Sequence, residues 1–233
     1  WGLQPVTNIG LVTSADLGSG FGLALGVIDN PLGLQDPDNN RAKSFTGQVS
    51  WSNDKFGAKV SGNWGEENSD GGNEGSILDL ILSADPTDFL SLWFNFDWVY
   101  ESQPSGVRAQ AGGQTNDNTF GFALAGRYAI TDQTGIAVRG EYVFNEDAGN
   151  FVRALNNGVA GGPRAGSIQQ WSATLTGDHH LTDNLMIRGE FRYDGAKVKG
   201  GSNQVFCGSG TGCAYPAAHS DQFVFIVDMT YEF

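Results

Sequence analysis

Apolar and polar residues alternate along most of this chain. The clearest stretch is its last. From Gln222 to Phe233, large apolar side chains stand at 223, 225, 227, 229, 231 and 233, and polar ones at 222, 228, 230 and 232. Successive side chains of a β-strand point to opposite faces, so this pattern predicts a strand with one greasy face and one mostly polar face. The segment 89–100 repeats it. Leu90, Leu92, Phe94, Phe96, Trp98 and Tyr100 share one face, Ser91, Asn95 and Asp97 the other, with Trp93 and Val99 breaking the rule. In 185–195, Leu185, Ile187, Phe191 and Tyr193 fall on one face and Arg188, Glu190, Arg192 and Asp194 on the other. Eleven such strands are predicted: 5–15, 21–29, 43–52, 56–65, 75–84, 89–100, 118–130, 135–145, 168–181, 185–195 and 222–233.

The connections fall into two classes. Short ones are Leu17–Gly20, Asn53–Lys55, Asp85–Asp88, Thr131–Thr134 and Thr182–Asn184, built from the Asp, Asn, Gly and Pro of tight turns. Long ones are 30–42, 66–74, 101–117, 146–167 and 196–221, and the two classes alternate without a break. A soluble β-sandwich would share the period of two, with its apolar face as core. Charged faces recurring in strand after strand, aromatics gathered near strand ends, and the strict alternation of turns and loops point instead to an antiparallel up-and-down transmembrane β-barrel. In such barrels the apolar face meets lipid, the polar face meets a wet lumen, and the long loops face outside.

Composition fits. There are 34 Gly, 15 Phe, 6 Trp and 6 Tyr in 233 residues, and no apolar run nears the roughly 18 residues of a membrane-spanning helix. The net charge of −13 disfavours nucleic acid, which calls for a basic stripe. Much of the acidic excess lies in loops, at Asp29, Asp36, Asp38, Glu66, Glu67, Asp70 and Glu74.

Strand counting carries a further expectation. If the last strand descends after the long loop 196–221, the first also descends, and Trp1 lies on the outer side. Single-chain bacterial barrels have even strand numbers and periplasmic termini. The 233 residues are therefore expected to be one barrel domain lacking N-terminal strands, with roughly 12–16 strands in the complete protein. The turn-and-strand pair Thr131-Asp132…Arg139-Gly140-Glu141-Tyr142 and Thr182-Asp183…Arg188-Gly189-Glu190-Phe191 reads as a shared hairpin template.

Charges expected on the inner faces are the candidates for solute selectivity: Lys59, Asp79 and Asp97 on earlier strands, then Arg127, Arg139, Glu141, Asp178, Arg188, Glu190, Arg192, Asp194 and Asp228. Two readings fit them. One is a charged constriction in which an arginine ladder (127, 139, 188, 192) faces carboxylates and sets ion preference. The other is a set of interior salt bridges that satisfies a polar lumen. The loop 146–167 has the length to fold inward and narrow a pore.

Cys207 and Cys213, in CGSGTGC, read as a small disulfide of an oxidising compartment. A metal pair would need further ligands in reach. Asp36-Pro37-Asp38-Asn39-Asn40 offers oxygen ligands without the full spacing of a calcium loop and reads as solvated surface. His179, His180 and His219 show no pairing of nucleophile and base, and no haem-attachment motif occurs. No enzyme, metal or cofactor is expected. Tyr231 and Phe233 carry the aromatic C-terminal pattern that serves outer-membrane barrels as an insertion signal, which implies the barrel assembly machinery and outer-membrane lipid as partners.

The segments ILDLILSADPTDFLSLWFNFDWVY, FALAGRYAITDQTGIAVRGEYVFNED, WSATLTGDHHLTDNLMIRGEFRYD and FIVDMTYEF, with NIGLVTSADLGSGFGLALGVIDN near the start, resemble the OmpL-like outer-membrane β-barrel porins. The resemblance runs over nearly the whole chain and implies further strands upstream. It implies a pore without naming a solute: passive diffusion of small hydrophilic solutes or ions. A structural barrel that anchors or sheaths an envelope partner is the competing expectation, and a homo-oligomer fits either.

Overall fold

A computed structural model of the protein describes residues 8–31, 42–66, 74–102, 116–146, 167–198, 206–207, 218–219 and 221–232. Eleven strands form one sheet: β1 (Gly10–Gly18), β2 (Phe21–Ile28), β3 (Ser44–Ser52), β4 (Phe56–Glu66), β5 (Glu74–Thr87), β6 (Leu90–Ser102), β7 (Asn116–Thr131), β8 (Thr134–Asn145), β9 (Ile168–Thr182), β10 (Leu185–Val198) and β13 (Asp221–Tyr231). Each pairs antiparallel with its neighbours in sequence, in the order β1-β2-β3-β4-β5-β6-β7-β8-β9-β10-β13. β1 and β13 are the two edges, so the sheet is open. Two-residue strands β11 (Phe206–Cys207) and β12 (Ala218–His219) pair separately, inside a stretch that the period of two reads as loop.

The differences from the sequence reading lie at the ends of elements. The first strand runs to Gly18, not residue 15, and its turn is only Ser19–Gly20. Gly18, Ser19 and Gly20 all take positive φ (79°, 54° and 82°), which two glycines permit without strain. The expected turn Asp85–Asp88 is mostly strand: β5 continues to Thr87, and the register shifts between Ala84 and Thr87. Pro86 sits within that irregularity, where its missing N–H costs no ladder bond. The turns after β7 and β9 tighten to Asp132–Gln133 and Asp183–Asn184.

Register fixes the faces. Leu92, Leu124, Val138, Leu175, Phe191 and Phe225 stand on the outer face, 40 % to 69 % exposed, as a lipid-facing surface does. Outer-face aromatics stack in pairs toward both ends, Phe21 with Trp51 (6.4 Å) at the turn end and Trp98 with Tyr100 (6.0 Å) at the loop end. The inner face is not uniform. Near the long loops it is buried: Asn95, Asp97 and Asn145 are 0 % exposed and Thr119 1 %. Near the turns it is open.

Candidate functional site

All twelve charged positions named above lie on the inner face. Asp79 and Asp97 oppose each other on β5 and β6, and Lys59 opposes Ile81. In the buried half, Asn95 Nδ2 donates to Asp79 Oδ1 (2.6 Å) and Ser61 Oγ to Asp79 Oδ2 (3.0 Å). Asn145 Nδ2 donates to Thr119 Oγ1 (2.7 Å). These short polar side chains supply the donors and acceptors that burial takes away from water.

The arginines gather on β7 to β10. Arg127 donates through Nε and Nη2 to both oxygens of Asp178, at 3.2 and 2.7 Å. Arg188 reaches Asp228 at 2.8 Å. Arg192 Nε meets Asp194 at 2.6 Å, and Gln222 donates to the other oxygen of Asp194 at 2.9 Å. Glu141 accepts from Ser172 and lies 3.8 Å from Arg192 and 3.6 Å from Arg139. Glu190 accepts from Thr176 at 3.2 Å. Arg127, Arg188 and Arg192 are thus tied to carboxylates. The Arg139 Nε makes no hydrogen bond, with Glu141 as its ion-pair partner at 3.6 Å, and the Lys59 side chain shows no partner among the described residues.

Gly135 matters here, and no sequence pattern marks it. Arg127 on β7 crosses β8 to reach Asp178 on β9, and Gly135 is the β8 residue it crosses. A Cβ at Gly135 would overlap the Arg127 guanidinium. Only the pairing of three strands reveals that need.

At the turn end these side chains border a hollow of about 570 Å³ over β6 to β10. Trp93, Arg127, Arg139, Thr174, Asp178 and Glu190 contribute to its wall. His180 and Met186 line it as well, whereas His179 turns to the outer face and shares a hydrogen bond of 2.9 Å with Thr134 Oγ1. Tyr231, part of the expected insertion signal, closes β13 on the outer face. Phe233, Cys213, the segment Asp36–Asn40 and nearly all of the loop 146–167 lie outside the described residues, so the disulfide and calcium readings stay expectations. No group of three or more His, Cys, Asp or Glu among the described residues is placed to hold a metal ion.

A family model described as "Putative beta-barrel porin-2, OmpL-like" matches residues 1–233. The chain belongs to the OmpL-like β-barrel porins. No curated protein sequence matches it. Among solved structures, a loop-deleted form of OmpT, an outer membrane protein of Vibrio cholerae, is 11 % identical with a TM-score of 0.59, covering 95 % of this chain and 62 % of that one. The outer membrane channel DcaP of Acinetobacter baumannii is 11 % identical with a TM-score of 0.59, covering 83 % and 57 %. An anion-selective porin from Comamonas acidovorans is 13 % identical with a TM-score of 0.58, covering 95 % and 58 %. The chain therefore spans about three-fifths of these structures' lengths, and at such identities they establish the fold alone. Family and fold place the protein in the bacterial outer membrane as a β-barrel.

Proposed function

We propose that the inner face lines a water-filled lumen through which small hydrophilic solutes and ions diffuse passively. The observation that carries this is the sorting of charge: the twelve charged side chains share one face of an eleven-stranded sheet whose other face is apolar. A barrel wall with lipid outside and water inside sorts residues in that way. The long loops would face outward and the short turns the periplasm. The twelve residues would line the pore, and the Arg–carboxylate pairs would give it a fixed local field while adding little net charge. Most of the arginine ladder then serves lumen architecture, leaving Lys59, and Arg139 with only the longer Glu141 contact, as the cations freest to attract anions.

A second reading has an observation of its own. The loop-end half of the same face is buried, which favours a narrow or occupied bore and hence a barrel that sheaths or anchors a partner. Liposome swelling separates the two. Proteoliposomes of the full-length protein should swell in sugars at rates that fall with solute size. Protein-free rates, from protein shown to be folded by heat-shifted electrophoretic mobility, would favour the scaffold.

A further inference from the structure

Trp93 is the residue that the alternation of β6 fails to explain. It faces inward, where Ser91, Asn95 and Asp97 also point. Register places it at the head of a row that crosses the inner face: Trp93 on β6, Ala125 on β7, Arg139 on β8, Thr174 on β9 and Arg192 on β10. Trp93 and Arg139 are two strands apart, about 10 Å at ordinary strand spacing. Between them stands only a methyl group, that of Ala125. The result is a slot with an indole on one side, a guanidinium on the other and a small floor, and it belongs to the 570 Å³ hollow.

Two polar atoms of this slot lack hydrogen bonds. Thr174 is 4 % exposed, yet its Oγ1 has no hydrogen-bond partner, and the buried Nε of Arg139 has none either. Arg139 and Thr174 are direct cross-strand neighbours. Glu141, the ion-pair partner of Arg139 at 3.6 Å, is held by Ser172. Native interiors seldom leave a hydroxyl and a guanidinium nitrogen unsatisfied side by side, because each forfeits about 1–3 kcal/mol of hydration without return. Three guanidiniums, of Arg127, Arg139 and Arg188, and two carboxylates, of Asp178 and Glu190, border the hollow, with Glu141 beside Arg139 and Asp228 beside Arg188.

We infer that this slot binds a small organic anion with a flat apolar body: a carboxylate on Arg139 and the Thr174 hydroxyl, its ring against Trp93. Arginine suits a carboxylate because its parallel N–H groups match the two oxygens. An indole face adds attraction for a ring that an aliphatic acid of the same charge cannot gain. This deepens the channel reading and rests on it only for the ligand's route to the slot.

Benzoate, acetate and the neutral benzamide are suitable probes, applied to the full-length protein in planar bilayers. Benzoate should reduce single-channel current saturably, while acetate and benzamide at equal concentration should not. Arg139→Gln should raise the half-blocking concentration about tenfold or more. Trp93→Ala should bring benzoate down to the level of acetate. Thr174→Val, nearly isosteric, should weaken block about threefold and stands in should Arg139→Gln fail to fold. Benzoate acting no differently from acetate, or equally on wild type and Arg139→Gln, overturns the inference and leaves the channel reading intact. Should the protein insert without conducting, the channel reading fails. Calorimetric titration of the detergent-refolded barrel with benzoate then decides the slot, heat of binding supporting it and no heat overturning it.

Discussion

The loop-end and turn-end halves of the inner face solve the same problem differently. Toward the loops, Asp79, Asn95, Asp97, Thr119 and Asn145 are nearly or wholly buried. Toward the turns, the Arg127 and Arg188 side chains are each 47 % exposed and tied to carboxylates. A buried carboxylate needs fixed donors in place of water, so the first half is knitted by amides and hydroxyls. An exposed ion pair is screened and contributes little to stability, so the second half can hold many charges at small cost and can vary them. On the channel reading, the loop-end half would sustain the architecture and the turn-end half would tune what passes.

The largest expected effects should ignore that division. Leu78 on β5 and Leu124 on β7 face outward in the loop-end and turn-end halves, 38 % and 60 % exposed. Replacing either with Arg should cost about 2–4 kcal/mol if it sits near the bilayer midplane. Urea titration of the barrel refolded in lipid measures this, and insensitivity at both sites would mean that the face does not meet lipid.

Next comes Asn95→Leu, which removes a donor to the buried Asp79 carboxylate. A loss of about 1–3 kcal/mol is expected in the same titration. Gly135→Ala should break the Arg127–Asp178 bridge by filling the gap beneath it, with at most about 1 kcal/mol lost, since the arginine is half exposed. Its larger signature should be in conductance and ion preference. A stability loss as great as that of Asn95→Leu would erase the contrast between the halves. Smallest in stability is Lys59→Gln. With no partner among the described residues, Lys59 should be worth less than about 0.5 kcal/mol, and its loss should shift the reversal potential toward cations.

Much of this was legible in the sequence, because a period of two survives any detail of packing. Strand faces followed directly, down to the inward pointing of Arg188, Glu190, Arg192 and Asp194 on β10. Turn boundaries were less legible. Pro86 reads as a turn residue, but the strand absorbs it at a register shift, a matter decided by pairing with β6. The division of the inner face along the strand axis leaves no periodic mark. The slot was hidden for a similar reason. Trp93 is visible as an exception, but its row with Ala125, Arg139 and Thr174 joins four strands and depends on their mutual register. The sequence offers the arginines either as a ladder facing carboxylates or as interior salt bridges; in the structure all four lie within 4 Å of a carboxylate, and the Arg139 Nε lacks a hydrogen bond.

An open aqueous path along the inner face should show in single-channel recording of the full-length protein in planar bilayers under a KCl gradient. Stable open steps with a reversal potential that moves when Lys59 or Arg139 is neutralised are the expected result. Silent insertion of protein that is demonstrably folded would contradict such a path and leave a barrel built to hold something rather than to pass it.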